Sequence, residues 1–149
     1  MFKLKRILNS GNIAPELIRV DSDTAYTFAD GILPGMAICL LDDGSFVRCD
    51  SQSRPTHICD RVAKDNMGNP YMLCFAINEN MIFEAPLAVT GARDCAAIGS
   101  PVCVADGADG VKFDETNTKT TGVIVCRDSS DKSRAFEKVL VRFPLGKDA

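Results

Sequence analysis

The residues of this chain that could carry out chemistry are few, and they centre on one histidine. His57 is the only histidine among 149 residues, so a Ser-His or Cys-His nucleophilic site must use it. Cys59 follows two positions later, and residues i and i+2 of a strand share a face. A third catalytic partner, such as Cys49, could lie near this pair only if the fold placed it there. Asp60 points to the opposite face of the strand. We therefore expect His57 to be a hydrogen-bonded strand residue and the chain not to be an enzyme.

Candidate metal ligands are also sparse. Zinc needs four ligands, and Cys49, His57 and Cys59 offer three at an unfamiliar spacing. The acidic turn that begins at Asp106 does not fit a calcium loop either, because Ala108 and Gly110 occupy its third and fifth positions, where oxygen ligands are required. No phosphate-binding, dinucleotide-binding or hydrolase motif occurs. The sequence thus predicts no metal and no cofactor.

The seven cysteines look like small core residues. Their number is odd and no C-x-x-C pair occurs, so the spacing specifies neither a disulfide framework nor a paired-thiol zinc site. Most lie inside apolar runs, and Cys39, Cys74 and Cys103 in particular are predicted to be buried free thiols on inward strand faces. This usage is typical of a reducing compartment.

Charge and hydropathy exclude two classes of partner. Seventeen Lys and Arg against 20 Asp and Glu give a net charge of -3, which provides no basic surface for nucleic acid. No apolar run approaches the roughly 20 residues of a membrane-spanning helix. The N-terminus also lacks an uninterrupted signal-peptide core, because Lys3, Lys5 and Arg6 interrupt its apolar residues. We expect no nucleic acid and no membrane among the partners.

Short apolar runs bounded by Gly, Pro, Asn and Asp recur along the chain and predict strands. This spacing favours an all-β fold, an antiparallel β-barrel or β-sandwich built from hairpins. The predicted strands are Leu17 to Val20, Thr24 to Phe28, Met36 to Leu41, Ser45 to Cys49, His57 to Ala63, Tyr71 to Ile77, Met81 to Glu84, Val102 to Ala105, Thr121 to Cys126 and Lys138 to Phe143.

Turn residues connect these runs, and little room is left for helix. Asp42-Asp43-Gly44 is a strong hairpin signal, since glycine tolerates the positive φ of a tight turn, and residues 66–70 form a second hairpin loop. The best helical candidate is Ser129 to Phe136, a turn or two with polar residues at its start.

One pattern occurs twice. Gly35-x-x-Ile38-Cys39-Leu40-x-Asp42 reappears 64 residues later as Gly99-x-x-Val102-Cys103-Val104-x-Asp106, and both copies continue through an Asp-Gly turn to an apolar strand. The copies predict two hairpins of the same build. A true duplication and a chance similarity between two hairpins both remain open.

The first 16 residues differ from the rest. An alternating segment with three basic side chains is followed by a break at residues 9–12 and by Pro15. We interpret residues 1–16 as an N-terminal extension or docking arm and residues 17–149 as the β-barrel domain. The candidate partner-binding residues of the arm are Phe2, Lys3, Leu4, Lys5, Arg6, Ile7 and Leu8. The alternative is an ordinary first strand paired within its own subunit.

The order of these motifs resembles the small β-barrel proteins that decorate the heads of tailed phages. The likeness begins with Gly31-Ile32-Leu33-Pro34-Gly35, the strand after it and an Asp-Gly turn, and continues with Pro55 before His57-Ile58-Cys59. It extends through Gly99 to Val104 and Thr121 to Cys126 to the final strand, and so covers about residues 30–143. The first 30 residues lie outside it.

The resemblance implies a structural virion component and not an enzyme. Such a protein binds the outer surface of a phage capsid and bridges neighbouring major capsid proteins, often as a homotrimer in contact with its own copies. Two other classes of function compete with it. A ligand- or carbohydrate-binding module would normally display exposed tryptophan, and this chain has none. A small β enzyme would have to rest on His57 and a cysteine.

Overall fold

The structure is a computed structural model that describes residues 1–7, 17–21, 31–88, 99–113, 122–127 and 136–144. These residues form strands and turns without a helix, which confirms the all-β prediction. The strands are β1 (Lys3–Ile7), β2 (Leu17–Asp21), β3 (Ala37–Leu40), β4 (Phe46–Arg48), β5 (His57–Lys64), β6 (Pro70–Ala76), β7 (Met81–Ala88), β8 (Pro101–Val104), β9 (Val111–Phe113), β10 (Gly122–Arg127) and β11 (Phe136–Arg142).

Most predicted strands agree with observed ones to within a residue or two. The predicted strand Thr24 to Phe28 and most of the helical candidate at Ser129 lie outside the described residues, and Phe136 is the first residue of β11. Strand β7 is longer than predicted because it continues through Pro86. One edge of β7 pairs with β1 over residues 81–84 and with β9 over residues 87–88. Pro86 lies between these two pairings, where a missing N–H is tolerated.

The strands form two sheets with the same internal order. In one sheet the strands β7, β11, β10, β8 and β9 are hydrogen-bonded neighbours in that order, and the pairing of β9 with β7 closes them into a five-stranded barrel. Strand β1 is added to the free part of the β7 edge. The second sheet runs β2-β6-β5-β3-β4, which is the same arrangement five strands earlier in the chain. We call residues 17–76 the first repeat and residues 81–142 the second.

Local irregularities recur at matching places in the two repeats. Gly35 and Gly99 both have positive φ, +85° and +90°. The N–H of Gly35 donates to the carbonyl oxygen of Cys59 at 2.6 Å, and the N–H of Gly99 donates to that of Ile124 at 2.7 Å. The register also shifts directly after Cys59 in β5 and directly after Ile124 in β10. Matching bulges and glycines support a structural duplication and disfavour a chance similarity.

Equivalent positions also fill the two interiors. The side chains inside the first repeat form a cluster of their own, while their counterparts belong to the larger cluster around the barrel. When the strand registers of the two repeats are aligned, the equivalent interior positions are Val20 and Ala85, Ile38 and Val102, Phe46 and Val111, Cys59 and Ile124, Met72 and Val139, and Cys74 and Val141.

The β3–β4 turn and the β8–β9 turn each contain a residue in the left-handed conformation, but the type of residue differs. Gly44 fills this position in the first turn with φ +84°, as its sequence predicts. In the second turn the residue with positive φ is Ala108, at +57°, and not the glycine of Asp109-Gly110. Gly110 serves a different purpose, because a Cβ there would lie 2.6 Å from the carbonyl oxygen of Pro86. Its missing side chain allows β9 to approach β7 and close the barrel.

The outer face of the first repeat packs against the second. Ala37, Cys39 and Ile58 belong to the same buried cluster as the interior of the barrel. The N–H of Ala37 also donates to the carbonyl oxygen of Ala108 at 2.7 Å, which ties the first strand of one hairpin to the turn of the other. The duplicated units therefore share one core.

The cysteine prediction is only partly correct. Cys59, Cys74 and Cys103 are buried thiols, as expected for Cys74 and Cys103. The prediction of a free thiol at Cys39 is wrong, because Cys39 forms a disulfide with Cys49 across the β3–β4 hairpin, with their Cα atoms 5.8 Å apart. The five-residue turn places β4 beside β3 with Cys39 opposite Val47, so Cys49, two residues further along the chain, lies on the same face of the hairpin as Cys39.

Candidate functional site

The described part of the N-terminal segment contributes a strand to the first sheet. Strand β1 runs antiparallel to β7, with Lys3 opposite Glu84 and Leu4 opposite Phe83. Phe2 is buried in the main core, and its N–H donates to the carbonyl oxygen of Gly35 at 2.7 Å. In the described residues the segment thus takes the alternative arrangement, a strand paired within its own subunit. That its exposed side chains contact a partner stays a prediction.

The structure brings several of the predicted partner-binding residues together at one place. Phe2, Lys3 and Leu4 line a common cavity, and Lys5 lies beside it in an ion pair with Glu84 at 3.1 Å. Ile7 is half-buried and packs against the core at the other end of the strand. Arg6 is opposite Ile82 in the β1–β7 pairing, and Leu8 lies outside the described residues.

The cavity lies between the N-terminal segment and both repeats and has a volume of about 680 Å³. The second sheet contributes Phe75 of β6 and Ile58 of β5 to its lining, and these two residues are paired across the sheet. On its other side Phe75 is paired with Leu17 of β2. The lining residues are Met1, Phe2, Lys3, Leu4, Pro34, Gly35, Ile58, Cys59, Asp60, Phe75, Glu84, Pro86 and Lys138. The lining thus combines apolar side chains with four charged ones.

Charges at the cavity are largely compensated. The mostly buried carboxylate of Glu84 lies 3.1 Å from the Nζ of Lys5 and 3.8 Å from the Nζ of Lys138. Both carboxylate oxygens of Glu84 therefore lie in ion pairs with lysine side chains. Asp60 adds an exposed negative charge to the rim.

Gly35 determines how closely the N-terminal segment approaches this cavity. A Cβ at Gly35 would lie 2.8 Å from the Cβ of Met1 and 3.2 Å from the carbonyl oxygen of Phe2. Any side chain would therefore push the first two residues away from the core. The glycine of the Leu33-Pro34-Gly35 motif thus has a structural role as well as a positive φ.

His57 is enclosed by its own repeat. It is buried, its Nδ1 lies 2.8 Å from the Oγ1 of Thr56, and its ring meets the ring of Phe46 edge-on at 5.1 Å. Burial lowers the pKa of His57 below its usual value of 6.5, because the charged form is poorly solvated there. A neutral, packed imidazole agrees with the structural interpretation of His57.

Cys59 and Cys74 form a hydrogen-bonded thiol pair inside the first repeat. They are directly opposite each other on β5 and β6, and neither is exposed to solvent. The hydrogen bond from Cys74 lowers the pKa of Cys59, while the same bond and burial raise the pKa of Cys74. The sequence analysis did not predict this pairing, because a β-bulge at Asp60 shifts the register between β5 and β6 and thereby places Cys59 opposite Cys74.

The described part of the chain contains no group of three or more His, Cys, Asp or Glu side chains that could hold a metal ion. In the acidic turn of the second repeat, Asp106 forms an ion pair with Lys112 at 3.5 Å. No described helix is long and apolar enough to span a membrane.

The exposed apolar side chains are a feature that sequence patterns did not indicate. All the large ones among the described residues lie between positions 1 and 67, that is at the N-terminus or in the first repeat, and Met67 is the most exposed at 85%. They are Met1, Leu17, Ile18, Leu33, Leu40, Leu41, Val62 and Met67.

Comparison with known proteins gives no assignment. No family model, curated protein or solved structure matches this chain.

Proposed function

We propose that this chain is a capsid decoration protein, which binds the outer surface of a tailed-phage head and stabilises contacts between major capsid proteins. The observation that carries the proposal is the uneven distribution of exposed apolar side chains between two repeats of the same build. Surfaces that bind other proteins typically gather large apolar side chains, and in the described residues only the N-terminus and the first repeat expose such side chains. The second repeat keeps its large apolar groups covered in the residues that are described, which supports the first repeat as the docking side.

The fold also suits a structural role. Both repeats are hairpin-rich sheets joined through one core, and a disulfide closes the hairpin that carries Leu40 and Leu41. A rigid body with an apolar docking surface needs no catalytic groups to hold neighbouring capsid subunits together. The resemblance of residues 30–143 to decoration proteins adds the expectation of a homotrimer on the capsid.

The test uses particles assembled from the major capsid protein that is encoded with this chain. Quantitative mass spectrometry of purified particles should find the chain at hundreds of copies, and electron microscopy should place it on the outer surface. Scarcity or absence on particles would refute the proposal. The double variant Leu40→Ser with Leu41→Ser should reduce occupancy, because it removes apolar contact area from the docking side.

A matched control lies in the equivalent turn of the second repeat. Asp106→Ser changes an exposed residue of that turn and should leave occupancy unchanged. Equal loss of occupancy in the control would show that the turn chemistry, and not the docking surface, matters.

The cavity favours a second candidate, a ligand-binding module. Its volume of about 680 Å³ lies within the range of small-molecule pockets. Leu4→Trp should fill part of the cavity, and it separates the two candidates. Normal decoration by this variant supports the capsid role, whereas loss of binding to a small molecule found by thermal-shift screening supports the module.

A further inference from the structure

The duplicated architecture allows the outer edges of two equivalent strands to be compared. The register matches β2 of the first repeat with β7 of the second, so that Ile18 corresponds to Phe83 and Arg19 to Glu84. Strand β6 covers one edge of β2, just as β11 covers one edge of β7. The other edge of β7 carries β1. Among the described residues no strand occupies the corresponding edge of β2.

Burial follows this difference. On β7, Ile82 and Phe83 are 6% and 0% exposed, and both are opposite residues of β1. Their counterparts on β2, Leu17 and Ile18, are each 36% exposed. The same position is thus covered in one repeat and open to solvent in the other, although its side chains are apolar in both. An exposed apolar edge strand that no described strand covers is suited to accept another strand.

Charge distinguishes the two edges. Glu84 on β7 faces a basic strand and is ion-paired with Lys5. The corresponding residue on β2 is Arg19, which lies over the ring of Tyr71 and 3.8 Å from a carboxylate oxygen of Asp65, and its side chain is 49% exposed. A basic strand such as β1 of a second copy would place Lys3 against Arg19. An acidic strand would complement it, since opposite charges across a strand pair stabilise it and like charges do not.

We propose that the outer edge of β2 binds an extended segment of a partner protein by strand addition, with an apolar residue opposite Ile18 and an acidic residue facing Arg19. The segment would run antiparallel to β2, as β1 runs to β7. Main-chain hydrogen bonds would provide the attachment and the charge would select the partner. The inference rests on the two edges alone and holds for a partner that is not a capsid protein.

The probe is derived from the chain's own edge strand. A synthetic peptide of residues 1–8 carrying Lys3→Glu and Lys5→Glu keeps the apolar pattern of β1 and reverses its charge at the positions that face Glu84. The peptide of native sequence is the matched control. A third peptide adds Leu4→Pro to the acidic one, which removes a main-chain donor and is expected to abolish strand addition.

Binding is followed by amide chemical shifts of the full-length protein. The acidic peptide should bind about tenfold more tightly than the native peptide. The shifts should centre on residues 17–20, and the proline peptide should not bind. Arg19→Glu should reverse the preference, so that the native basic peptide binds more tightly, whereas Arg19→Gln should remove it. The amide spectra of both variants, recorded without peptide, show whether the fold is retained.

Several outcomes would overturn the inference. Preference of the wild-type protein for the native peptide would point to β1 of a second copy as the occupant. Absence of binding by all peptides, or shifts centred on β7, would remove the edge of β2 as the site. Self-association of the protein through β2, seen as concentration-dependent shifts of the same amides, would show that the edge pairs with itself.

Discussion

Cys59 and Cys74 lie directly opposite each other on β5 and β6, at positions that the second repeat fills with Ile124 and Val141. One repeat therefore uses a hydrogen-bonded pair of thiols where the other uses two aliphatic side chains. Free cysteine behaves as a small apolar residue in a core, so the two choices serve the same packing purpose.

This pairing predicts inert thiols. Neither sulfur is exposed, so a maleimide cannot reach either thiol in the folded protein. The pKa of Cys74 is also raised, which disfavours its thiolate, whereas the inertness of Cys59, whose pKa is lowered, depends on burial alone. Maleimide labelling followed by peptide mass mapping should leave both cysteines unmodified until denaturant is added. Met67→Cys places a thiol at the most exposed apolar position and is the positive control. Native labelling of Cys59 and Cys74 at the rate of that control would contradict the prediction.

Local sequence patterns predicted most strands, because alternation and turn residues act over a few positions. The turn at Gly44 could be predicted, since Asp-Gly indicates a left-handed residue directly. The second turn could not, because its left-handed residue is Ala108, and Gly110 is required by contact with distant Pro86. The same limit applies to the site. The exposure of Leu17 depends on which strand covers β2, and no local pattern contains that information.

The disulfide between Cys39 and Cys49 predicts a stability difference between equivalent positions. Closing a loop of this length restricts the unfolded chain, so Cys39→Ala should lower the free energy of unfolding by about 2–3 kcal/mol. Cys103 occupies the equivalent position in the second repeat as a buried thiol, and Cys103→Ala should cost only about 1 kcal/mol of lost packing.

Urea unfolding without reductant measures both variants. Reductant should lower the stability of the wild-type protein towards that of Cys39→Ala and should leave the Cys39→Ala variant unchanged. A wild-type protein that is insensitive to reductant would show that the disulfide contributes nothing to stability.

Substitution of Gly110 and of Gly44 should destabilise the protein for two different reasons. Gly110→Ala introduces a Cβ 2.6 Å from the carbonyl oxygen of Pro86, so the backbone must shift, at a cost of about 2–3 kcal/mol. Gly44→Ala meets no atom within 4 Å and suffers only from its positive φ, at a cost of about 1 kcal/mol. Hydrogen exchange should show faster opening of Leu87 and Val111, where β7 meets β9, in the first variant only. Equal effects on this pairing would contradict the proposed role of Gly110.

His57 predicts a loss of stability on mild acidification. Its pKa is lowered in the folded protein by burial, whereas the unfolded chain titrates near the usual value of 6.5. Below that value the unfolded state binds a proton that the folded state does not, so the free energy of unfolding falls as pH falls from about 7.5 to about 5. At lower pH the free energy of unfolding falls further, because the pKa values of Asp43, Asp50 and Asp65 are lowered from 3.8 in the folded protein and the unfolded chain therefore binds protons more readily there.

The variant His57→Gln isolates the contribution of the imidazole. It keeps a polar side chain beside Thr56 and removes the titrating group, so its stability should be nearly constant over the same interval. The stability of the wild-type protein relative to the variant should therefore decrease as pH falls from about 7.5 to about 5. Urea midpoints measured at closely spaced pH values give this difference directly. A difference that grows on acidification would mean that the folded state stabilises the imidazolium, which would place an unrecognised anionic partner next to His57.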